Sequence, residues 1–290
     1  MHALFEVSDT LNMPFECFIF DASKEQFPIR PHWHYFAEII YVLKGTAEMY
    51  DGETKYIVPE NGMIFFHPKA IHSIYAADDN PPVYAVLKID INRLSATPSY
   101  SPKLSNIFKS ASEKKMPIYF EPEFSLDANC KKLFFSCIDE LNEKNYGYDL
   151  LIQASIYNIM MIIIRNWQTQ GFVFDNDMFT KENSYDIDTI TEYIDQHIQE
   201  PLEVNHIADM CGISYSCFAK KFKKMYGVSC KEYIECFRIF KVEDFLLFTD
   251  FDLTYISQET GYSDCSHMIK QFKKYRGITP KQFRLKGGNI

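Results

Sequence analysis

The chain has 290 residues, 47% hydrophobic and 24% charged, with a formal net charge of −9. That length supports two separately packed cores, and the composition excludes a disordered or collagen-like chain. The longest apolar run, Ile159 to Ile164, stops at Arg165, short of a membrane span, and no basic stretch followed by an apolar one marks the N-terminus, so no membrane association, no export signal and a cytoplasmic location are expected.

From Arg30 to Ile91 the sequence alternates short apolar runs with turns: "AEIIYVLKG", "TAEMYDGETKYIVPENGMIFFHPKAIHSIYA" and "VYAVLKIDI". Asp51-Gly52 reads as a hairpin turn and Pro59 to Gly62 as another, which makes this an all-β unit. It opens on "PHWHYFAE", in which His32, His34, Phe36 and Glu38 share one strand face because side chains alternate. In a closed sheet that face is the interior, with His72 arriving from a neighbouring strand. Three histidines and a glutamate suit a first shell for iron, manganese or zinc, and equally suit the hydrogen-bonded walls of a pocket. Aromatic residues such as Phe36, Tyr41, Phe65 and Tyr84 would line such a pocket, and Arg30 would stand near its mouth.

Two helices follow. Leu126, Cys130, Leu133, Phe134, Cys137, Ile138 and Leu141 keep helical spacing, and a second helix over about Tyr148 to Trp167 is apolar on more than one face. A helix apolar nearly all round is expected to be buried on two sides, either by the barrel alone or by the barrel and a second subunit. The stretch Gln168 to Ser184 reads as a linker. The eight cysteines show no CxxC spacing and read as reduced thiols packed as small hydrophobes.

From Asp186 onward the chain carries 14 Lys+Arg and 15 Asp+Glu, leaving 16 and 24 before it, so the acidity sits in the N-terminal part. Of those 14 basic residues, 11 lie in two clusters, Lys220 to Lys224 and Lys270 to Lys286. The clusters belong to an internal repeat. "IADMCGISYSCFAKKFKKMYGVSCKEY" from Ile207 matches "ISQETGYSDCSHMIKQFKKYRGITPKQF" from Ile256. Each copy reads as a short helix, a glycine turn at Gly212 or Gly261, and a second helix with Ser214 and either Ser263 or Asp264 as its cap. Phe218 and Phe222 stripe the buried face of one second helix, Met268 and Phe272 that of the other. Two helices on a glycine turn, with a lysine-rich outer face, make a helix-turn-helix that binds double-stranded DNA.

Residues from about Asp186 to Lys286 resemble the DNA-binding domain of the AraC/XylS family of bacterial transcription regulators, through "GYSDCSHMIKQFKKYRGITPKQFR" and the connecting helix "CKEYIECFRIFKVEDFLLFT". The resemblance implies seven helices and two recognition helices in successive major grooves. It assigns DNA contacts to Tyr215, Ser216, Ala219, Lys220, Lys223 and Lys224 in the first unit, and to Ser266, His267, Ile269, Lys270, Lys273 and Lys274 in the second. Lys224, Lys274 and Arg276 are expected on phosphate, and Arg238 and Arg284 in structural roles. The spacing H-x-H-x3-E-x6-G from His32 to Gly45 resembles the first cupin motif, and Pro59 to Gly62 with Pro68 to His72 the second.

Together these imply an α+β multidomain protein. Its parts are a cupin-like, effector-binding β-barrel over 1–125, a helical dimerisation pair over 126–167, a linker over 168–185, and an AraC-type domain over 186–290. The helix-turn-helix units fall at about 203–225 and 252–275. The implied function is a sequence-specific transcription regulator, an activator, acting as a homodimer with RNA polymerase as a partner. Arg30, His32, His34, Glu38 and His72 would hold a small polar effector, with sugars the leading class. No catalysis, no metal and no cofactor are expected on this reading. The other reading is a metal-binding cupin enzyme or metal sensor fused to a DNA-binding domain.

Overall fold

The computed structural model describes residues 4–5, 14–94, 102–174, 187 and 190–286. It divides into two compact units, Met1–Thr180 and Lys181–Ile290. The boundary falls inside the stretch expected to be a linker, most of which lies outside the described residues.

The first unit begins with nine strands: β1 Leu4–Phe5, β2 Phe15–Asp21, β3 Ile29–Trp33, β4 Ala37–Lys44, β5 Ala47–Asp51, β6 Thr54–Val58, β7 Met63–Phe66, β8 His72–Ala76 and β9 Val83–Ile89. A tenth, β10 Tyr119–Phe120, comes later in the chain. The expected barrel takes the form of two five-stranded sheets, ordered β1-β3-β8-β5-β6 and β10-β7-β4-β9-β2. Every pairing is antiparallel except β1 with β3, where Leu4 lies opposite His32. The Asp51-Gly52 turn closes the β5–β6 hairpin, with Asp51 opposite Thr54 and Gly52 at φ +57. Strand β4 is buried from Ala37 to Val42 because it sits in the middle of its sheet, between β7 and β9. This explains why "AEIIYVL" reads as a continuous apolar run rather than an alternating one.

Among the described residues, a 3-10 turn Ile91–Arg93 and four α-helices complete this unit: α1 Leu104–Glu113, α2 Pro122–Asp127, α3 Cys130–Glu143 and α4 Tyr148–Thr169. Helices α1 and α2 fall within 1–125 or straddle its end, so the segment assigned to the sheet carries helix as well. The helix expected from Leu126 is broken before Cys130, where Asn129 adopts φ +55, and Leu126 is left exposed on α2. A left-handed residue ends one helix and starts another without an intervening loop. Helix α4 is the one described helix long and apolar enough to cross a membrane by length and composition, and here it packs along α3. Ile156, Ile159, Met160, Ile163 and Ile164 are buried within this one chain. What α4 leaves outside is a different stripe, with Leu150, Leu151 and Ala154 exposed and Tyr157 and Met161 half-buried.

Trp167 joins α4 to the sheets. Its indole N–H donates to the Pro117 carbonyl at 2.7 Å, and its ring meets Phe65 and Phe108 edge-on at 6.0 and 5.4 Å. His67 stacks on the same indole, with ring centroids 6.1 Å apart. Its ring nitrogens are enclosed without a protein partner, and burial pushes its pKa down to about 4 from 6.5. A base whose folded pKa is depressed contributes full stability above its unfolded value. That contribution falls as pH drops from 6.5 to about 4, because the unfolded chain then binds the proton more readily. At about 1.4 kcal/mol per pH unit the ring accounts for about 3 kcal/mol. Denaturant titrations from pH 7 to 4 should therefore show a steeper acid loss of stability in the wild type than in His67→Phe. Parallel curves for the two proteins would contradict the assignment.

The second unit holds seven helices among the described residues: α5 Ile190–Gln196, α6 Val204–Met210, α7 Tyr215–Tyr226, α8 Cys230–Phe248, α9 Leu253–Glu259, α10 Cys265–Arg276 and α11 Pro280–Leu285. The repeat is visible in these bounds. Helix α9 begins 49 residues after α6, and α10 begins 50 after α7.

Candidate functional site

Each helix-turn-helix is built by local rules. Gly212 and Gly261 turn the chain between helices at φ +65 and +76, and Gly227 and Gly277 end α7 and α10, both at φ +74. Asp264 caps α10 by accepting the His267 amide at 2.8 Å. Ser214 stands at the equivalent N-cap of α7, but its hydroxyl lies against Ser216 rather than an amide. Phe218 and Phe222 are buried on α7, and Phe222 meets Tyr233 of α8 edge-on at 5.6 Å. Met268 and Phe272 join the core of the second copy with Ile239, Val242 and Leu246 of α8. Helix α8 therefore serves both copies, and its Ser229–Glu232 capping box fixes where it starts.

With the aromatic stripes inward, the lysines face out. Tyr215, Ser216, Lys220, Lys223 and Lys224 are exposed on α7, with Ala219 half-buried, and Ser266, Lys270, Lys273 and Lys274 are exposed on α10. His267 and Ile269, expected to face outward, are half-buried. Ile269 packs against the second core, and the His267 ring contacts Gln271 and Tyr262. Arg276, expected on phosphate, forms a two-point ion pair with Glu243 of α8, with Nη2 to Oε2 at 2.8 Å. A guanidinium held in a fork by a carboxylate ties α10 to α8. Arg238 donates to the Ile198 and Glu200 carbonyls at 3.2 and 2.9 Å, and Arg284 to the Phe251 carbonyl at 2.7 Å, both structural.

The second candidate is the polar cluster between the two sheets of the first unit. His32 lies on β3, Glu38 on β4 and His72 opens β8, while His34 sits in the turn from one sheet to the other. Donor atoms of these four side chains all lie within 4.8 Å of one another. His34, Glu38 and His72 are buried. Glu38 Oε2 is 2.6 Å from His34 Nε2 and 3.2 Å from His72 Nε2. Phe66 stacks on the His72 ring at 4.4 Å. Arg30, the fifth residue expected at this site, is exposed on β3 and gives the cluster its carbonyl oxygen, which faces His32 Nδ1 at 3.0 Å.

Sequence reasoning missed Lys88. It is buried on β9 directly opposite Glu38, and its charge acts on that carboxylate. Burial alone would raise the Glu38 pKa, but Lys88 and the contacts with His34 and His72 outweigh it and hold the carboxyl well below the usual range. A lysine in the middle of the apolar run "VYAVLKIDI" was the available signal. Tyr84, on the same face four pairs along, buries a hydroxyl that has no protein partner.

Against known families, residues 14–160 match the AraC-like ligand binding domain and residues 207–286 match a helix-turn-helix domain. The chain belongs to the AraC family. It is a DNA-binding transcription regulator with a ligand-binding domain. Among curated relatives, this AraC-family chain is 21% identical over 253 residues to the uncharacterized HTH-type transcriptional regulator YdeC of Bacillus subtilis, covering 87% of this chain and 85% of YdeC. It is 35% identical over 98 residues to the bifunctional transcriptional activator/DNA repair enzyme AdaA of the same organism, where the match spans 34% of this chain and 46% of AdaA. Among solved structures, ToxT from Vibrio cholerae O395 aligns over 96% of this chain and 99% of its own length, with a TM-score of 0.36 and 14% identity. The DNA-binding domain of AdpA in complex with a target DNA covers 36% of this chain and 93% of that domain, with a TM-score of 0.34 and 16% identity.

The two turn glycines offer an internal comparison. A Cβ on Gly212 would meet nothing within 4 Å, whereas one on Gly261 would lie 2.4 Å from the Ile198 carbonyl and 2.9 Å from Arg238. Gly212→Ala should cost about 1 kcal/mol, the penalty of a left-handed side chain. Gly261→Ala should cost at least about 3 kcal/mol, because overpacking adds to that penalty. Urea unfolding of the two variants checks the order. Equal losses would contradict the packing around Arg238.

Proposed function

We propose that this protein is an effector-controlled transcription activator in which α7 and α10 read two successive major grooves. The observation that carries this reading is the repeated pairing of a buried aromatic or methionine stripe with an exposed lysine face on both second helices. Two equivalent helices on one connecting helix suit grooves about one helical turn apart. In this reading Lys220, Ser216 and Lys270 read bases, while Lys223, Lys224, Lys273 and Lys274 hold phosphate. Tyr215, Ala219, Ser266 and His267 flank these contacts, and Ile269 supports α10 from within.

The effector is small and polar, and sits at His32, His34, Glu38 and His72. Support comes from the burial of that polar cluster between the sheets and from β1, which pairs beside His32 and gives the N-terminal segment a route to the site. An effector that prefers one placement of that segment shifts the regulator between states. The protein works in the cytoplasm, without catalysis, as a homodimer whose contact is the outer stripe of α4 with Leu150, Leu151 and Ala154. RNA polymerase is its partner at the promoter.

Lys270→Ala should weaken binding to the cognate operator by about 1–3 kcal/mol and relax the preference at one base pair. Lys274→Ala should weaken binding evenly across sequences and lower the salt slope by about one. Fluorescence anisotropy on matched and mismatched operators over a salt series separates these outcomes. Identical behaviour of the two variants would contradict the division of roles.

A further inference from the structure

Two cysteines far apart in the sequence meet where the helix pair packs on the sheets. Cys17 lies on β2, the edge strand of its sheet, and Cys137 on α3, which packs against that strand. They are 120 residues apart along the chain. Cys17 Sγ stands 3.8 Å from the Phe134 carbonyl, and Cys137 follows three residues after Phe134 on the same face of α3. The two thiols hydrogen-bond to each other, and Ser155 of α4 hydrogen-bonds to Cys137 as well. Both are free thiols, Cys137 buried and Cys17 half-buried, so the pair has its solvent side at β2.

The two sulfurs are not equivalent. Cys17 donates to Cys137, which holds the Cys17 proton in place and pushes its pKa up, with burial adding to the shift. Cys137 accepts, and the Cys17 thiol draws its pKa below 9.0 against the opposing effect of burial, helped by Ser155. Cys130, at the start of the same helix, shows what burial does as the main influence, since its pKa is pushed up to about 11. A thiolate is the nucleophilic form of cysteine, so the sulfur poised to react is that of Cys137.

We propose that Cys17 and Cys137 are a hydroperoxide-responsive pair that closes to a disulfide and locks β2 to α3. The Cys137 thiolate attacks one oxygen of the hydroperoxide. The O–O bond breaks, Cys137 becomes a sulfenic acid, and the other oxygen leaves with a proton as water or alcohol. The Cys17 sulfur then attacks the Cys137 sulfur, the S–O bond breaks, and the hydroxyl departs with the Cys17 proton as water. The two thiols lose two electrons and the peroxide gains them. The bond joins the strand that follows the N-terminal segment to the helix pair, and it closes a long loop in the unfolded chain. In a reducing compartment such a bond is transient, which suits a sensor more than a permanent staple. The proposal departs from the reading of all eight cysteines as packed thiols, and it does not rest on the effector reading of the pocket.

The test uses the full chain, reduced, freed of reductant and treated with hydrogen peroxide in steps. The intact mass should fall by two hydrogens, peptide mapping should place the link between Cys17 and Cys137, and dithiothreitol should reverse it. The link should form before the exposed Cys217 is oxidised, and the oxidised chain should melt a few degrees above the reduced one. In Cys17→Ser no link should form and a sulfenic acid should accumulate at Cys137, where dimedone traps it. Cys130→Ser should behave as the wild type. Oxidation of Cys217 ahead of the pair, or a mapped disulfide between other cysteines, would overturn the proposal. So would a folded wild type in which Cys17 and Cys137 both stay free after the peroxide is consumed. A link without a rise in Tm would overturn the lock of β2 to α3.

Discussion

A single buried carboxylate organises the sensory half of this protein. Glu38 sits on the central strand of one sheet, meets His72 from the other sheet, and meets His34 from the turn that joins them. Burying a charge is costly unless it is compensated, and here the compensation comes from Lys88 across the strand pair and from the two imidazoles. Every element that contributes a partner is thereby held in register. Strand β4 cannot slip by one residue without turning Glu38 away from Lys88 and its apolar neighbours toward the wrong face. The β-sheet framework and the polar centre therefore depend on each other, and a ligand at the centre acts on both sheets at once.

The DNA-binding half follows a different logic. Its helices are short, and α6, α9 and α11 have six or seven residues each, too few to be stable alone. They are fixed by caps, by left-handed glycines and by α8, which lends one part of its surface to each copy. The ion pair of Glu243 with Arg276 and the Arg238 contacts to Ile198 and Glu200 anchor the ends that packing leaves loose. Function divides accordingly. Arginines hold the scaffold, and the lysines of α7 and α10 stay exposed.

Much of this was legible in the sequence. The repeat, the glycine turns and the lysine clusters fix the helix-turn-helix units, because a 3.6-residue period places Phe218 and Phe222 opposite the lysines. The single strand expected through His32, His34 and Glu38 is instead two, β3 and β4 in different sheets with His34 in the turn between them, and the side chains converge across that turn. Other features depend on partners distant in the chain. Arg276 looks like a phosphate contact until Glu243 is seen beside it, since both are surface residues by composition. Ile269 and His267 fall at the edge of the buried stripe, where a helical wheel does not decide. The break at Asn129 comes from a left-handed residue inside an otherwise regular apolar pattern. Lys88 is hidden by its own run of apolar neighbours. Most consequentially, spacing says that three histidines face one way but not which nitrogen of each ring does. The backbone carbonyls of Arg30, Phe36 and Ala70 each face an Nδ1 atom at 3.0 Å and set how the rings are turned.

The most direct measurement of the central place given to Glu38 is urea unfolding of Glu38→Gln in the full chain. The account predicts a loss of at least about 3 kcal/mol, because removing one partner of a buried charge network leaves the others uncompensated. A loss below about 1 kcal/mol would contradict it.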